Sequence, residues 1–184
     1  MLPDVLTYTR QLLQEVIPPG GHAVDATMGN GHDTVFLASC TGPEGRVTAF
    51  DVQEQALRAT AERLEAHGLK AELVQRGHEH AGEVLGDLPL HAAVFNLGYL
   101  PRSDKTVTTR ADSTIAAVQQ LFDRLVPGGR IVLVIYHGHE EGQKEKEQLL
   151  PFLEGIPQDQ AAVLQYAFMN QRNAAPFVTV VEKR

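Results

Sequence analysis

The sequence predicts an α/β fold, with a mostly parallel sheet of seven strands, helices on both faces and an antiparallel hairpin at the C-terminus. Three observations predict it. Short apolar stretches alternate with amphipathic ones along most of the chain, the pattern of a parallel sheet wrapped by crossover helices. The last two apolar stretches have no helix between them, so they return on each other. Two early apolar stretches end in acids, Asp25 and Asp51, and the first runs into a turn of small residues, "TMGNGHDT".

The elements follow in order. "LPDVLTYTRQLLQEV" reads as an amphipathic helix, with Leu6, Leu12, Leu13 and Val16 at helical spacing and Pro18 to Gly21 as its stop. "HAVDA" is a short buried strand, "DTVFLASC" a helix and "GRVTAFDV" a second strand. "EQALRATAERLEAHG" is a helix that Gly68 closes. "KAELVQR" and "LHAAVFN" are strands three and four. "DSTIAAVQQLFDRLVPGG" is a helix with Asp112 at its start and Gly128-Gly129 after it. "RIVLVIYH" is strand five and "EEGQKEKEQLLPFLEG" a charged helix. "AAVLQYAFMN" and "PFVTVVEKR" are the hairpin, joined by "QRNAA". The arrangement is Rossmann-like.

Bulk properties narrow the class. The chain has 184 residues, enough for a single domain, expected over 1–184 with residues 1–20 as a helix packed on it. At 43% hydrophobic and 21% charged residues, disorder is not expected. The single cysteine, Cys40, cannot form an internal disulfide, which suits a cytoplasmic protein. Asp4, Arg10 and Glu15 interrupt the first apolar stretch and argue against a signal peptide, and no apolar run reaches membrane-spanning length. A net charge of −7 argues against nucleic-acid binding by bulk charge, though not against a local basic patch. A homodimer is compatible with the sequence, which does not decide the oligomeric state.

The acids and the turn carry the first functional signal. Ligands of open parallel sheets bind beyond the carboxyl ends of the strands, where small residues let backbone N–H groups come close. An acid ending strand two can accept hydrogen bonds from ribose hydroxyls. A dinucleotide fold wants Gly-x-Gly-x-x-Gly, and Gly29 to Thr34 lacks the third glycine. Sites for S-adenosylmethionine favour acid-x-Gly-x-Gly-x-Gly, which Asp25 to Gly31 matches except at Thr27. Asp51 and Gln53 end strand two, and His78 and Glu79 follow strand three, where an adenine edge can lie.

Strand four ends in "NLGYLP", similar to the Asn-Pro-Pro-Tyr tetrapeptide of methyltransferases that act on amino groups. An amide oxygen and a backbone carbonyl can accept the N–H bonds of an amine and aim its lone pair, while an aromatic ring can face the charge that develops. Asn96, Gly98 and Tyr99 are therefore expected at the reaction centre, with His137 as a group that can take a proton. Lys105, Arg110, Arg172, Tyr136, His139, Asn170 and Asn173 fall where strands meet loops; for a nucleic-acid substrate the three cations would meet phosphates and a flipped base would stack on Tyr99 or Tyr136. No metal is expected: His78/His80 and His137/His139 lie two apart, unlike usual zinc spacing. No Gly-x-Ser-x-Gly elbow supports a hydrolase.

At this point the chain resembles a known family. "DATMGNGHDTVFLA", "FDVQ", "NLGYLPRSDKTVTT", "YHGHEEG" and "NQRNAAPFVTVVEK" resemble, in order, the motifs of the small bacterial YtqB-like rRNA methylases. The resemblance implies a class I S-adenosylmethionine-dependent methyltransferase. It further implies methylation of the amino group of 5-aminomethyl(-2-thio)uridine at the wobble position of tRNA, with the anticodon loop as partner. It puts Asp25, Asn30, Asp51, Gln53, His78 and Glu79 on the cofactor, joined by the motif positions Thr27, Gly29, Gly31 and Asp33. It puts Asn96, Gly98 and Tyr99 at the transfer centre. Arg102-Ser103 departs from the two glycines common in the family. Other readings stay open: an rRNA or small-molecule amine methyltransferase, a nucleotide-binding oxidoreductase, or a non-catalytic binding module.

Overall fold

The computed structural model describes residues 1–98 and 109–184. The elements run α1 (Val5–Gln14), β1 (His22–Asp25), α2 (His32–Thr41), β2 (Arg46–Asp51), α3 (Glu54–Ala66), β3 (Glu72–Gln75), a 3₁₀ turn (His78–His80), α4 (Ala81–Leu85), β4 (Leu90–Leu97), α5 (Ala111–Arg124), β5 (Leu125–Ile135), α6 (Glu140–Glu154), β6 (Ala161–Tyr166) and β7 (Phe177–Lys183). The seven strands lie in the order β3-β2-β1-β4-β5-β7-β6. β1 to β5 are parallel, and β7 inserts antiparallel between β5 and β6. The chain reverses its direction of travel between β1 and β4, the switch point where open sheets bind ligands.

Strand alternation builds two cores. Ala93, Phe95 and Leu97 of β4 and Ile131, Leu133 and Ile135 of β5 face α5 and α6, where Leu121, Leu149 and Leu153 meet them. Ala92 and Val94 of β4 and Val132 and Val134 of β5 face the other way, onto Leu12 and Leu13 of α1 and Leu37 of α2. By the same period of two, Asn96 leaves β4 on the α2 side. Leu13 is fully buried, so its truncation to Ala should cost roughly 2–5 kcal/mol. α1 is seated on the sheet: Asp4 accepts from the Thr7 backbone N–H at 2.7 Å, and Arg130 of β5 donates to the Leu12 carbonyl at 2.9 Å and pairs with Glu15 at 2.6 Å.

The sequence pattern misjudged a few boundaries. Helix five stops at Arg124 and β5 begins at Leu125, because Leu125 already pairs with Leu90 before an irregularity in the ladder. The 3₁₀ turn and α4 lie where no helix was expected, since three and five residues are too short to show a helical period. β6 ends at Tyr166, four residues short of the expected strand. Among the described residues no helix is long and apolar enough to cross a membrane.

Candidate active site

A cavity of about 1000 Å³ opens at the carboxyl ends of β1, β2 and β4. The turn after β1 forms its floor. Asp25 is fully buried and sits behind the turn, accepting from the Thr27 backbone N–H at 3.2 Å and from the Thr34 hydroxyl at 2.6 Å. Burial first, then the nearby carboxylates of Asp33 and Asp51, push its pKa up to about 7. Asp25 does not line the cavity. Both of its carboxylate oxygens are engaged in shaping the loop. Gly31 likewise lies outside the cavity lining. It adopts φ +78°, and a Cβ there would fall 2.8 Å from the Thr60 hydroxyl of α3, so both backbone and packing demand glycine.

Asp51 ends β2 with both oxygens engaged by backbone. Gly29 N–H donates to one at 3.0 Å and Gln53 N–H to the other at 2.9 Å. The acid therefore ties the glycine turn to the second strand while lining the cavity with Gly29, Asn30, Gln53 and Glu79. Arg63 of α3 holds the Asn30 carbonyl from outside at 2.8 Å. His78 is buried, with Nδ1 3.0 Å from the Ala26 carbonyl. A carbonyl only accepts, so Nδ1 carries the proton. Burial holds the ring's pKa below the ordinary histidine value, so Nε2 keeps its lone pair. That buried Nε2 has no hydrogen-bond partner among the described residues. An acceptor on the wall, a carboxylate ending β2 and bare backbone at the turn fit an adenine nucleoside, whose amino group donates and whose ribose hydroxyls donate as well.

The other end of the cavity is built around Asn96. Its backbone N–H donates to the Thr27 hydroxyl at 2.7 Å, which explains why a threonine stands where the motif calls for glycine. Its side-chain amide nitrogen donates to Asp33 at 2.7 Å. A carboxylate has no proton to give an amide oxygen, so the flip of Asn96 is set and its Oδ1 is left to face outward. Arg10 of α1 reaches to 3.9 Å from Asp33 and lies over the Phe36 ring. Gly98, at φ +151°, ends this segment in a conformation that side chains avoid. Tyr136 N–H donates to the Leu97 carbonyl at 3.2 Å, and the Tyr136 ring lines the cavity beside His139 and Gly138. Burial and then the Asp33 charge push the Tyr136 hydroxyl above its ordinary pKa. His139 caps α6, its Nδ1 accepting from Gly142 N–H at 3.0 Å.

Other expected site residues fall elsewhere. His137 is absent from the cavity lining; its ring packs edge-on against Phe177 and beside Lys146, which together with burial lowers its pKa. The structure thus does not bring His137 together with Asn96 in the cavity lining. Its parity in strand five is that of Ile131, Leu133 and Ile135, so alternation already pointed it to the opposite face. Arg110 lies at the cavity rim, exposed and paired with Asp112 at 3.4 Å. Asn170, Arg172 and Asn173 are exposed on the β6–β7 connection and outside the lining, although Ala174 of the same loop reaches it. Tyr99 and Lys105 lie outside the described residues. Arg10 of α1, His32, Thr109 and Ser113 line the cavity without a signal in the sequence for that role, and Leu6, read in the sequence as part of the apolar stripe of α1, is exposed and lines the cavity too.

The chain is similar to several known proteins. A chloroplastic tRNA (mnm(5)s(2)U34)-methyltransferase of Arabidopsis thaliana is 34% identical over 182 residues, covering 93% of this chain and 66% of that protein. The chain thus spans just under two thirds of that relative's length. A crystal structure of a "putative rRNA-methylase" from Clostridium thermocellum superposes with a TM-score of 0.97 at 38% identity, with both chains covered in full. SMU.1697c of Streptococcus mutans, "a putative methyltransferase" crystallised in complex with SAH, superposes at 0.92 with 38% identity, again over both whole chains. The fold is that of the S-adenosylmethionine-dependent methyltransferases, and a family model described as "Putative rRNA methylase" matches residues 47–182, most of the sheet and the far wall of the cavity, so this chain is a member of that family.

Proposed function

We propose that residues 1–184 form one methyltransferase domain that uses S-adenosylmethionine to methylate the amino group of 5-aminomethyl(-2-thio)uridine at the tRNA wobble position, in the cytoplasm. The observation that carries this reading is the double tether of Asn96, by Thr27 and Asp33, which leaves its amide oxygen as an acceptor at the end of β4. The named activity of the Arabidopsis relative supports the same substrate.

The cofactor's fit rests on Asp51, Gln53, His78, Glu79 and the Gly29–Asn30 backbone, all of which line one end of the cavity. When bound, S-adenosylmethionine supplies an electrophilic methyl group on a sulfonium centre. The chain's own residues handle the nucleophile. Asn96 Oδ1 accepts an N–H of the amine and orients its lone pair. Asp33, one hydrogen bond behind, puts negative charge beside the arriving group and favours its ammonium form. An alkyl amine has a pKa of ~10.4, so a proton must leave before attack. With His137 turned away, that proton goes to Asp33 or to solvent. Arg110 and Arg172 are read as contacts to the anticodon-loop backbone, and Tyr136 as the surface on which the flipped base stacks.

Mass spectrometry of nucleosides from tRNA incubated with the protein and isotopically labelled S-adenosylmethionine tests this. One labelled methyl on the 5-aminomethyl group is the expected result. Label found only in rRNA, or in no RNA, would overturn the substrate assignment.

A further inference from the structure

Glu145 of α6 is a buried carboxylate without a cationic partner within ion-pair reach among the described residues. It is 3% exposed, a costly place for a charge unless both oxygens are hydrogen-bonded. One oxygen accepts from the Thr109 hydroxyl at 2.6 Å, the other from the Thr114 hydroxyl at 2.7 Å. Burial pushes its carboxyl above the ordinary range, and these two hydroxyls pull it back.

Thr109 connects this carboxylate to the end of β4. Its hydroxyl accepts from the Gly98 N–H at 2.9 Å, and its own N–H donates to the Gly98 carbonyl at 3.0 Å. A hydroxyl has one proton to give. Since it already accepts from Gly98, that proton goes to Glu145, and an ionised carboxylate cannot run the relay backwards. Gly98 is thereby gripped on both backbone polar groups, at a φ of +151°. The segment Asn96-Leu97-Gly98 is held at its front by Thr27, with Asp33 behind, and at its back by Thr109, with Glu145 behind.

We propose that Glu145 is a positioning residue for methyl transfer: acting through Thr109, it fixes Gly98 and with it the placement of Asn96 at the reaction centre. The effect on rate rests on the activity proposed above, while the clasp itself does not. Misplacing a reacting group by about 1 Å costs up to ~10²-fold in rate. Thr109→Val removes the hydroxyl at near-constant volume and should lower the single-turnover rate roughly tenfold to a hundredfold. Glu145→Gln presents an oxygen to only one threonine and should lower it less. Thr109→Ser should restore most of the loss.

The test combines three measurements on the full chain. Hydrogen exchange of the Gly98 amide, which needs no substrate, should accelerate in Thr109→Val and in Glu145→Gln. Calorimetry should show S-adenosylmethionine binding within about twofold of wild type, since Asp51 and His78 lie at the other end of the cavity. Single-turnover transfer to an anticodon stem-loop carrying 5-aminomethyluridine should show the double variant no slower than Thr109→Val alone. Thr114→Val, which cuts Glu145's other bond, should lower thermal stability and slow transfer less than Thr109→Val does.

Unchanged Gly98 exchange in both variants would overturn the clasp, whatever the substrate. Additive rate losses, or a Thr114→Val enzyme as slow as Thr109→Val, would reduce Glu145 to helix packing. Wild-type protein that leaves the stem-loop unmethylated would instead defeat the substrate assignment, with Gly98 exchange still deciding the clasp.

Discussion

Individual side chains at the cavity are set by hydrogen bonds that leave few alternatives. Asn96 presents its oxygen because Asp33 takes its nitrogen. Asp33→Asn keeps an acceptor for that bond but removes the charge, whereas Asp33→Ala removes both. If Asp33 only orients Asn96, Asp33→Asn should keep most of kcat and Asp33→Ala should lose roughly ten- to a hundredfold; if it also takes the proton, both should fall together, as separate kcat and KM measurements will show. Asp25 gives a second prediction. Its folded pKa of about 7 lies above the ordinary 3.8, so the folded state holds this proton more tightly than the unfolded chain does. Its contribution to stability is complete below the unfolded value and is lost as pH rises through about 7. Asp25→Asn, a mimic of the neutral acid, should flatten the fall of the urea midpoint across that window. A wild-type and variant pair with parallel pH profiles would show that Asp25 stays ionised.

At the scale of elements, the site depends on how α1, α2 and α3 press on the sheet. Gly31 touches Thr60 of α3 so closely that a methyl group has no room. Gly31→Ala must either push α3 outward or distort the turn, and it also strains a backbone at φ +78°. A loss of about 1–3 kcal/mol in stability is expected, together with weaker S-adenosylmethionine binding, both measurable by thermal unfolding with and without cofactor. α1 contributes Leu6 and Arg10 to the cavity wall. Arg10→Ala should leave the helix folded, because Arg10 is half exposed and the seat of α1 is Leu12, Leu13 and the Arg130–Glu15 pair. It should change methyl transfer through Asp33 while cofactor affinity holds, a split that calorimetry and turnover assays read directly.

The whole molecule is acidic, with a net charge of −7, so the RNA recognition proposed above would have to rely on local cations. Several described arginines are engaged elsewhere: Arg46, Arg58, Arg76 and Arg130 pair with glutamates, and Arg124 holds backbone carbonyls of Gly82 and Gly86. Arg110 at the rim and Arg172 on the β6–β7 loop are exposed on the side of the sheet where the cavity opens. Neutralising both should weaken tRNA binding and reduce the slope of log affinity against log salt by about one for each phosphate that is no longer neutralised. A slope identical to wild type would move the RNA surface away from this rim.

The sequence by itself determined the alternation of strands and helices, the closing hairpin, the acids that end β1 and β2, and the polar tetrapeptide at the end of β4. These are local quantities: a period of two or of about 3.6, a glycine where the chain turns, a carboxylate at a strand end. The placement of His137 was not among them: the sequence reading put it beside Asn96, whereas in the structure its ring packs on Phe177. Tertiary structure decided which partners those residues meet. Asp33 lies 63 positions from Asn96, and Glu145 lies 36 from Thr109. They meet because β4 crosses back to lie beside β1 and because α6 packs along α5, choices of strand order and helix docking that no local pattern encodes. Asp25 illustrates the difference: a strand-end acid is legible as a motif, yet only the completed turn, with Thr27 and Thr34 closed over it, shows that it is buried and that it supports the loop.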